Sequence, residues 1–528
     1  MELSKGTKKL LEQYQLWYQS LQPKEAQAVL SVDTVAASVA SFYEKIRGVV
    51  DWREEHLLRK TAVERIFKRR VLFAGDHKDF AEAFLQELIR GGHLPNNRIP
   101  VSMVETVQTI VNKYIFLQER VESKDQKDIK DWLLAIGACE IEEVLSNPRR
   151  ERALIECMSE DMVSQVFLRE RDEKELSDED RKLHIEVAVQ KALFKLDDAT
   201  ISLHLLEKFY PQWKGQSTEA LSTIPAVMPF TRKRIEKLLH HPVGEKFYQL
   251  IERLDTPYLL LGDVMALDPN DFSRLAVASA EFEETLRKAY HARLKKLEGR
   301  MGRAAFFSTI SVFLSKVLIA LSLEIPFDKY VAHEFNPKAT ALSIAIPPLF
   351  LLFLVLTVRS SSEENLQKVL LETMKITYET DRIDRYEVAF PRRKKKGLVS
   401  FIVKAVYLAT FFISFGAVAW ALTKLQFGVP SIFIFLFFLS LVAFAGTKIR
   451  QRSRELMILE QKEGFLAGLL DFFTLPIVQT GKWFSGKLAR YNVLILMLNV
   501  LIEAPFQVFV EFIEQLRNFW KEKKEEIH

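Results

Sequence analysis

Hydrophobic and polar positions follow different patterns in the two halves of the chain. From residue 1 to residue 303, apolar residues recur every three or four positions, with helix-starting and helix-ending residues at short intervals. Alternating strand patterns are scarce in this part, and it contains no hairpin turn pair. The pattern therefore predicts an all-α, water-soluble region that is rich in charge.

A charged run, RERDEKELSDEDRK at 169–182, interrupts the helical pattern of this region. Such a run is typical of a solvated connection, so we predict one helical subdomain over 1–168 and a second over 169–303. Ser177, within the run, is a suitable N-cap for the helix that follows. The second subdomain ends in a basic helix that leads into the first long apolar run.

Four apolar runs follow, and each is close to the ~20 residues that a helix needs to cross a bilayer. They are 304–323, 339–358, 397–423 and 425–447. The first contains a single charge, Lys316, and the third contains only Lys404. We predict two pairs of transmembrane helices, within 304–358 and 397–447, joined by a basic loop at 359–396.

The positions of Lys and Arg predict the orientation of these helices, because cytoplasmic connections are enriched in cations. Cations are dense before the first run, between the second and third, and after the fourth. The other two connections hold only Lys329, Lys338 and Lys424. We therefore predict a multi-pass protein of a plasma (inner) membrane, with both termini in the cytoplasm.

The C-terminal region, 448–528, is predicted to be interfacial or re-entrant. Its segment 464–481 is apolar but carries an aspartate and a proline near the middle. The helix that follows combines an apolar face with a polar face, as surface-bound helices do. Two further crossings would place Lys482, Lys487 and Arg490 outside, against the bias elsewhere, so four crossings are preferred and six are the alternative.

Composition removes several functional classes. The net charge of +5 is modest for 528 residues, so no nucleic-acid partner is predicted. Cys139 and Cys157 are the two cysteines, which is too few for a disulfide framework and fits a reducing compartment. Because motifs for phosphate loops, dinucleotides, zinc proteases and nucleophile elbows are missing, we predict no enzyme activity, no metal site and no cofactor.

Lys316 lies near the middle of the first apolar run, where a cation costs at least ~2.5–3.5 kcal/mol. Serines recur beside it at helical spacing and define a candidate polar seam: Ser308, Ser311, Ser315, Lys316 and Ser322. One interpretation is the lining of an ion or solute path. The other is a small-residue packing face, in which Lys316 pairs with a buried acid or a lipid phosphate.

Basic residues beside the apolar runs are candidate contacts for anionic lipid headgroups, which attract such cations with ~1 kcal/mol each. The candidates flank the first and third runs: Arg300, Arg303, Arg392, Arg393, Lys394, Lys395, Lys396 and Lys404. The predicted partners are the lipid bilayer with its anionic headgroups, and an unidentified protein or a second copy of the chain.

Two stretches carry a resemblance to other proteins. The tail LIEAPFQVFVEFIEQLRNFWKEKKEEI and the segment IRGVVDWREEHLLRKTAVERIFKRR resemble parts of uncharacterised bacterial multi-pass helical membrane proteins. The resemblance implies a bacterial inner membrane and transfers no activity or site.

The function that these patterns favour is a membrane scaffold or assembly protein with a cytoplasmic helical domain, because the large helical region lacks catalytic groupings. The alternative is a transporter or channel component that uses the polar seam around Lys316. A membrane enzyme that acts on lipid is a third hypothesis with the least support.

Overall fold

The computed structural model describes residues 2–21, 28–32, 55–73, 80–121, 126–211, 213–214, 222–331, 333, 336–357, 362–379, 382, 384–390, 398–458 and 465–490. The chain divides into two compact units. The first, here called the polar unit, draws its described residues from Met1–Ser279 and Thr373–Pro391. The second, the apolar unit, draws them from Ala280–Glu372 and Arg392–Leu496.

Helices make up nearly all of the described polar unit. They are α1 (Lys5–Ser20), α2 (Glu55–Phe73), α3 (Phe80–Arg90), α4 (Ser102–Arg120), α5 (Gln126–Ser146), α6 (Arg149–Gln165), α7 (Asp178–Phe194), α8 (Asp198–Phe209), α9 (Ile224–His240), α10 (Pro242–Ile251), α11 (Asp255–Leu267) and α12 (Phe272–Val277). A short 3-10 turn, Glu170–Glu175, lies in the charged run before α7.

Side-chain caps fix the starts of several of these helices, among them α7 and α8. Ser177 caps α7, because its hydroxyl accepts a hydrogen bond from the backbone N–H of Asp180 at 3.1 Å, which confirms the predicted cap. Asp197 caps α8 in the same way, through the backbone N–H of Thr200 at 3.0 Å. Each cap satisfies a backbone donor that has no partner within its helix.

The core of the polar unit is apolar and closely packed. Phe67 and Phe84 are fully buried in it and contact each other edge to face, with ring centroids 6.2 Å apart. Gly137 allows α5 to approach α4, since a Cβ at this position would lie 2.9 Å from the ring of Tyr114. The packing therefore depends on the large rings of α2, α3 and α4 and on the absence of a side chain at Gly137 of α5.

Two short strands belong to the polar unit, and the sequence pattern predicted neither of them. β1 (Val166–Leu168) pairs in parallel with β2 (Tyr386–Val388), and Phe167 lies opposite Glu387. The cap of α1 also uses this distant part of the chain, because the Ser4 hydroxyl donates to the carbonyl of Ile376 at 2.9 Å. Residues 373–390 therefore complete a fold that begins at the N-terminus.

The helices of the apolar unit are longer and more hydrophobic. They are α13 (Ser279–Ile319), a π-helical segment (Ala320–Glu324), α14 (Ile325–Tyr330), α15 (Pro337–Leu356), α16 (Glu363–Tyr378), α17 (Leu398–Lys424), α18 (Val429–Ser453) and α19 (Phe465–Arg490); the last six residues of α16 belong to the polar unit. In the described part of the chain, four helices are long and apolar enough to cross a membrane: Ser279–Tyr330, Pro337–Leu356, Phe401–Lys424 and Val429–Ser453.

The apolar unit exposes large hydrophobic side chains on its outside. Leu318 is 67% exposed, Phe401 is 70% exposed and Phe433 is 70% exposed. α18 is the most buried of the four helices, with 44% of its apolar window inside the unit against 11–28% for the others. An apolar exterior around a central helix suits a lipid solvent rather than water.

α19 packs against α17 and α18 in the same unit. The Ser414 hydroxyl donates to the backbone carbonyl of Phe473 at 2.7 Å, and the rings of Phe437 and Phe484 lie 4.8 Å apart. Gly481 lies against the carbonyl of Ser440, where a side chain would not fit. The segment 464–481, predicted to be interfacial or re-entrant, thus contributes to one continuous helix.

The structure confirms the all-α class and the four apolar helices at the predicted places. The cytoplasmic location of the helical region, the subdomain boundaries and the number of crossings stay predictions. The amphipathic helix expected beyond residue 490 lies outside the described residues.

Candidate functional site

Lys316 lies on α13 and is completely buried in the apolar unit. Its side chain is 0% exposed, and its ammonium group forms an ion pair with the carboxylate of Glu324, which is also 0% exposed. The ammonium group also lies 5.4 Å from the ring centroid of Phe438 on α18. The cation that the sequence placed in mid-span therefore has an acidic partner on its own helix.

The π-helical segment determines which residues share the face of Lys316. An α-helix turns by about 100° per residue, so in an uninterrupted helix each fourth residue drifts ~40° around the axis. The wider π-turn advances by roughly 80° per residue and cancels part of that drift. Glu324, at the end of the segment, and Asp328, one turn later, are consequently both buried. Counted over the whole residue, their exposure is 1% and 5%.

Two neighbouring helices each contribute a buried serine to this face. The Ser343 hydroxyl of α15 donates to Oε2 of Glu324 at 3.4 Å, and the Ser431 hydroxyl of α18 donates to Oδ2 of Asp328 at 3.0 Å. We call Lys316, Glu324, Asp328, Ser343 and Ser431 the polar column. At 1.5 Å per residue, Lys316 and Asp328 are ~18 Å apart along the helix, about half the thickness of a bilayer core.

Asp328 differs from Glu324 in how its carboxylate is satisfied. Both oxygens of Glu324 have partners, from Lys316 and Ser343. For Asp328, Oδ1 is buried and has no hydrogen-bond partner among the described residues. A Cβ added at Gly428 would lie 3.0 Å from that oxygen, so the backbone that begins α18 covers it closely.

The polar column is a chain of groups that can hold or exchange charge inside an apolar unit. A buried ion pair has to recover the cost of removing two charges from water, so it is weak evidence for stability by itself. Ionisable side chains within membrane segments instead mark ion pathways and proton relays. The column is therefore the candidate functional site among the described residues.

The structure separates the residues of the predicted polar seam. Ser308 and Lys316 are buried, whereas Ser311, Ser315 and Ser322 are exposed. On an ideal α-helix, Ser315 and Ser322 lie about 20° and about 40° behind Ser308 around the helix axis, whereas Lys316 lies ~80° ahead of it. The exposed serines therefore lie beside the buried face, on the outer surface of the helix.

The predicted lipid contacts are placed only in part. Arg303 and Lys404 are exposed, and Arg300 is half-buried. The cluster Arg392, Arg393, Lys394, Lys395 and Lys396 lies outside the described residues.

Glu324 and Asp328 are the residues that the sequence reasoning missed. The predicted first span ended at residue 323, immediately before the first of these acids. The spacing Lys316, Ala320, Glu324, Asp328 was a partial signal, because successive members are neighbours on a helix surface, although an ideal helix would turn Asp328 ~120° away from Lys316. It required continuing the helix past the first acidic residue.

The polar unit holds its own ionisable network, around Glu143 of α5. His204 donates to Glu143 at 2.7 Å, and Arg152 and Lys214 pair with the same carboxylate. Burial would raise the pKa of Glu143, but the hydrogen bond from His204 and the charge of Arg152 outweigh it and lower the pKa to about 2. A cavity of about 290 Å³ lies beside this network, next to Asn147.

A second buried network crosses the core of the polar unit. Lys113 donates to Glu140 at 2.5 Å, and Tyr114 donates to the same carboxylate at 2.7 Å. The indole of Trp213 also donates to Glu140, at 3.2 Å. Since donors and acceptors satisfy one another, this network is explained by folding alone.

No group of three or more His, Cys, Asp or Glu residues in the described ranges could hold a metal ion. Cys139 and Cys157 are both buried and free. Comparisons with known proteins return no matching family model, no similar curated protein and no similar solved structure.

Proposed function

We propose that the apolar unit is embedded in a membrane and carries protons or small cations across it along the polar column. The chain then acts as a transporter or channel component. A single observation carries this proposal: Lys316, Glu324 and Asp328 are buried on one helix face inside a unit with an apolar outside. Each charge at such depth costs several kcal/mol, and the groups that bear this cost in membrane proteins usually handle ions.

The connectivity supports the membrane arrangement. The chain leaves the polar unit after Ser279 and returns to it at Thr373, and two of the four apolar helices lie between these points. Two crossings bring a chain back to the side from which it started. The cation distribution gives the same result, since the dense clusters fall before the first apolar helix and after the second. Both termini are accordingly proposed to lie on the cytoplasmic side of a plasma (inner) membrane.

Ion movement is tested with the full chain in lipid vesicles that contain a pH-sensitive dye. An acid step outside should change the internal pH faster with the protein than in empty vesicles. The paired variant Lys316→Met/Glu324→Gln should lose the effect, because it removes both charges and leaves neither unpaired.

Lys404→Met is the matched control. Lys404 also lies within an apolar helix, but its side chain is exposed. This variant should keep wild-type flux. Equal fluxes of protons, potassium and sodium in wild-type, paired-variant and empty vesicles would contradict the proposal.

A membrane scaffold or assembly protein, the first hypothesis from the sequence, is the second candidate. The observation that favours it is an apolar surface on α9, where Phe230 is 73% exposed and Val227 is 45% exposed. Phe230→Ser should then release a co-purifying protein in mild detergent. Lys233→Ser, on the same helix and also exposed, should not.

A further inference from the structure

We infer that Asp328 is the proton-binding group of the polar column, and that Lys316 and Glu324 form a fixed charged pair that the path requires but that does not itself exchange protons. This inference rests on the proposed ion pathway and names its substrate as the proton. Binding adds a proton from hydronium to the Asp328 carboxylate, which gives a neutral carboxyl group and water.

The first argument is the contrast between the two acids. Glu324 is held by the ammonium of Lys316 and by the Ser343 hydroxyl. Protonating Glu324 would leave the Lys316 charge buried without a counter-charge, which costs ~3–5 kcal/mol for a broken buried pair. Asp328 has no ion pair among the described residues, so its charge can change without stranding another.

The second argument concerns the surroundings of Asp328. Ser431, in the first turn of α18, donates to Oδ2, whereas Oδ1 is buried without a hydrogen-bond partner among the described residues. A buried oxygen without a partner is costly. Oδ1 is therefore the atom of Asp328 at which a proton can add.

No described ion pair joins the charged groups around Asp328 to its carboxylate. Glu324 lies one turn earlier on the same face and is neutralised by Lys316. Lys329, Lys338 and Lys424, at the ends of α14, α15 and α17, are exposed, and none is described as paired with Asp328.

The third argument separates a proton from a metal ion. A hard cation such as Ca²⁺ takes six to eight oxygen ligands. Around Asp328, the described side-chain hydrogen bond comes from Ser431 alone, and the start of α18 at Gly428 approaches Oδ1 closely. One described hydroxyl beside the carboxylate falls short of the oxygen ligands that such a cation takes, whereas a proton needs none of them.

Infrared difference spectroscopy of the full chain in nanodiscs, between alkaline and acid buffer, tests the inference. The wild-type protein should gain a carboxylic C=O component that stands apart from the broad band of the other carboxyl groups. Asp328→Asn should lose that component, and Lys316→Met/Glu324→Gln, which leaves neither charge of the pair stranded, should keep it. A component that persists in Asp328→Asn, or one that disappears in Lys316→Met/Glu324→Gln, would overturn the assignment.

Ser431→Ala covers the case in which Asp328→Asn does not fold. It removes the described side-chain hydrogen bond to the Asp328 carboxylate, so the frequency of the Asp328 C=O band should change. An unchanged frequency would contradict the inference. Ser440→Ala is the control, because that buried serine of α18 donates to its own helix at Leu436 and should leave the band in place.

The vesicle experiment distinguishes failure of this inference from failure of the proposed function. A band that depends on Asp328, without flux, would keep the proton site and remove transport. Flux without such a band would keep transport and remove Asp328 as its proton carrier.

Discussion

Lys316 and Glu324 are eight residues apart on one helix and form a fully buried ion pair, because a π-helical segment ends at Glu324. The structure shows that Lys316 has a buried acidic partner, which both interpretations of the polar seam allow. Whether the pair serves transport or folding is decided by changing both members.

Lys316→Met alone should destabilise the protein. The substitution leaves the Glu324 carboxylate buried without its cation, at a cost of ~3–5 kcal/mol. Lys316→Met/Glu324→Gln should recover most of this loss, since replacing a whole buried pair is often neutral or stabilising. Thermal unfolding in detergent measures both variants. Equal melting temperatures for Lys316→Met and wild type would show that the pair does not form.

Acid should weaken the polar unit through Glu143. Its folded-state pKa, about 2, lies below the ordinary value of 4.5. The stabilisation is therefore complete above about pH 4.5 and is lost as the pH falls toward about 2. At neutral pH it amounts to ~3 kcal/mol, from 1.36 kcal/mol per pKa unit.

Glu143→Gln removes this stabilisation. Hydrogen exchange of the α5 amides, corrected for intrinsic rates, should show less protection in the variant at neutral pH. It should also show a smaller loss of protection on acidification. A pH dependence identical to that of wild type would indicate that other carboxylates cause it.

Both cysteines should resist alkylation in the folded protein. Burial raises the pKa of the Cys139 and Cys157 thiols, and the thiolate is the reactive form. Mass spectrometry should find neither labelled by a maleimide until denaturant is added. Lys208→Cys, at a position 48% exposed in the wild type, provides the reactive control. Rapid double labelling of the native wild type would mean that the described core opens.

The orientation can be measured with single cysteines in a Cys139→Ser/Cys157→Ser background. Positions Tyr330 and Gln426 should react with an impermeant reagent added outside intact cells. Positions Arg385 and Glu455 should react only after lysis. Labelling of Arg385 in intact cells would reject the proposed four-crossing topology.

The sequence was sufficient for the class of the fold because long apolar runs and helical periodicity are local signals. It placed four apolar helices and the cap at Ser177 without knowledge of any contact. It did not find β1 and β2, since each strand has three residues and its partner lies more than two hundred positions away. Such a pairing leaves no pattern in either segment alone.

The candidate site was predicted only at Lys316. The positions of the serines were misleading because helical spacing shows which residues are neighbours on a helix surface and not which part of that surface is buried. The π-helical segment could not be predicted from periodicity, and it is what turns Glu324 and Asp328 toward Ser343 and Ser431. The prediction did not include an acid buried just beyond the end of the apolar run, which is where Glu324 lies.

The parallel pairing of Val166–Leu168 with Tyr386–Val388 has a consequence for biosynthesis. A ribosome makes β1 long before β2, and the first two apolar helices are made in between. The carbonyl of Ile376 that bonds Ser4 also arrives late. The polar unit therefore lacks its strand pairing and the Ser4–Ile376 hydrogen bond until translation has passed the second apolar helix, so the last step of its folding follows the synthesis of both helices.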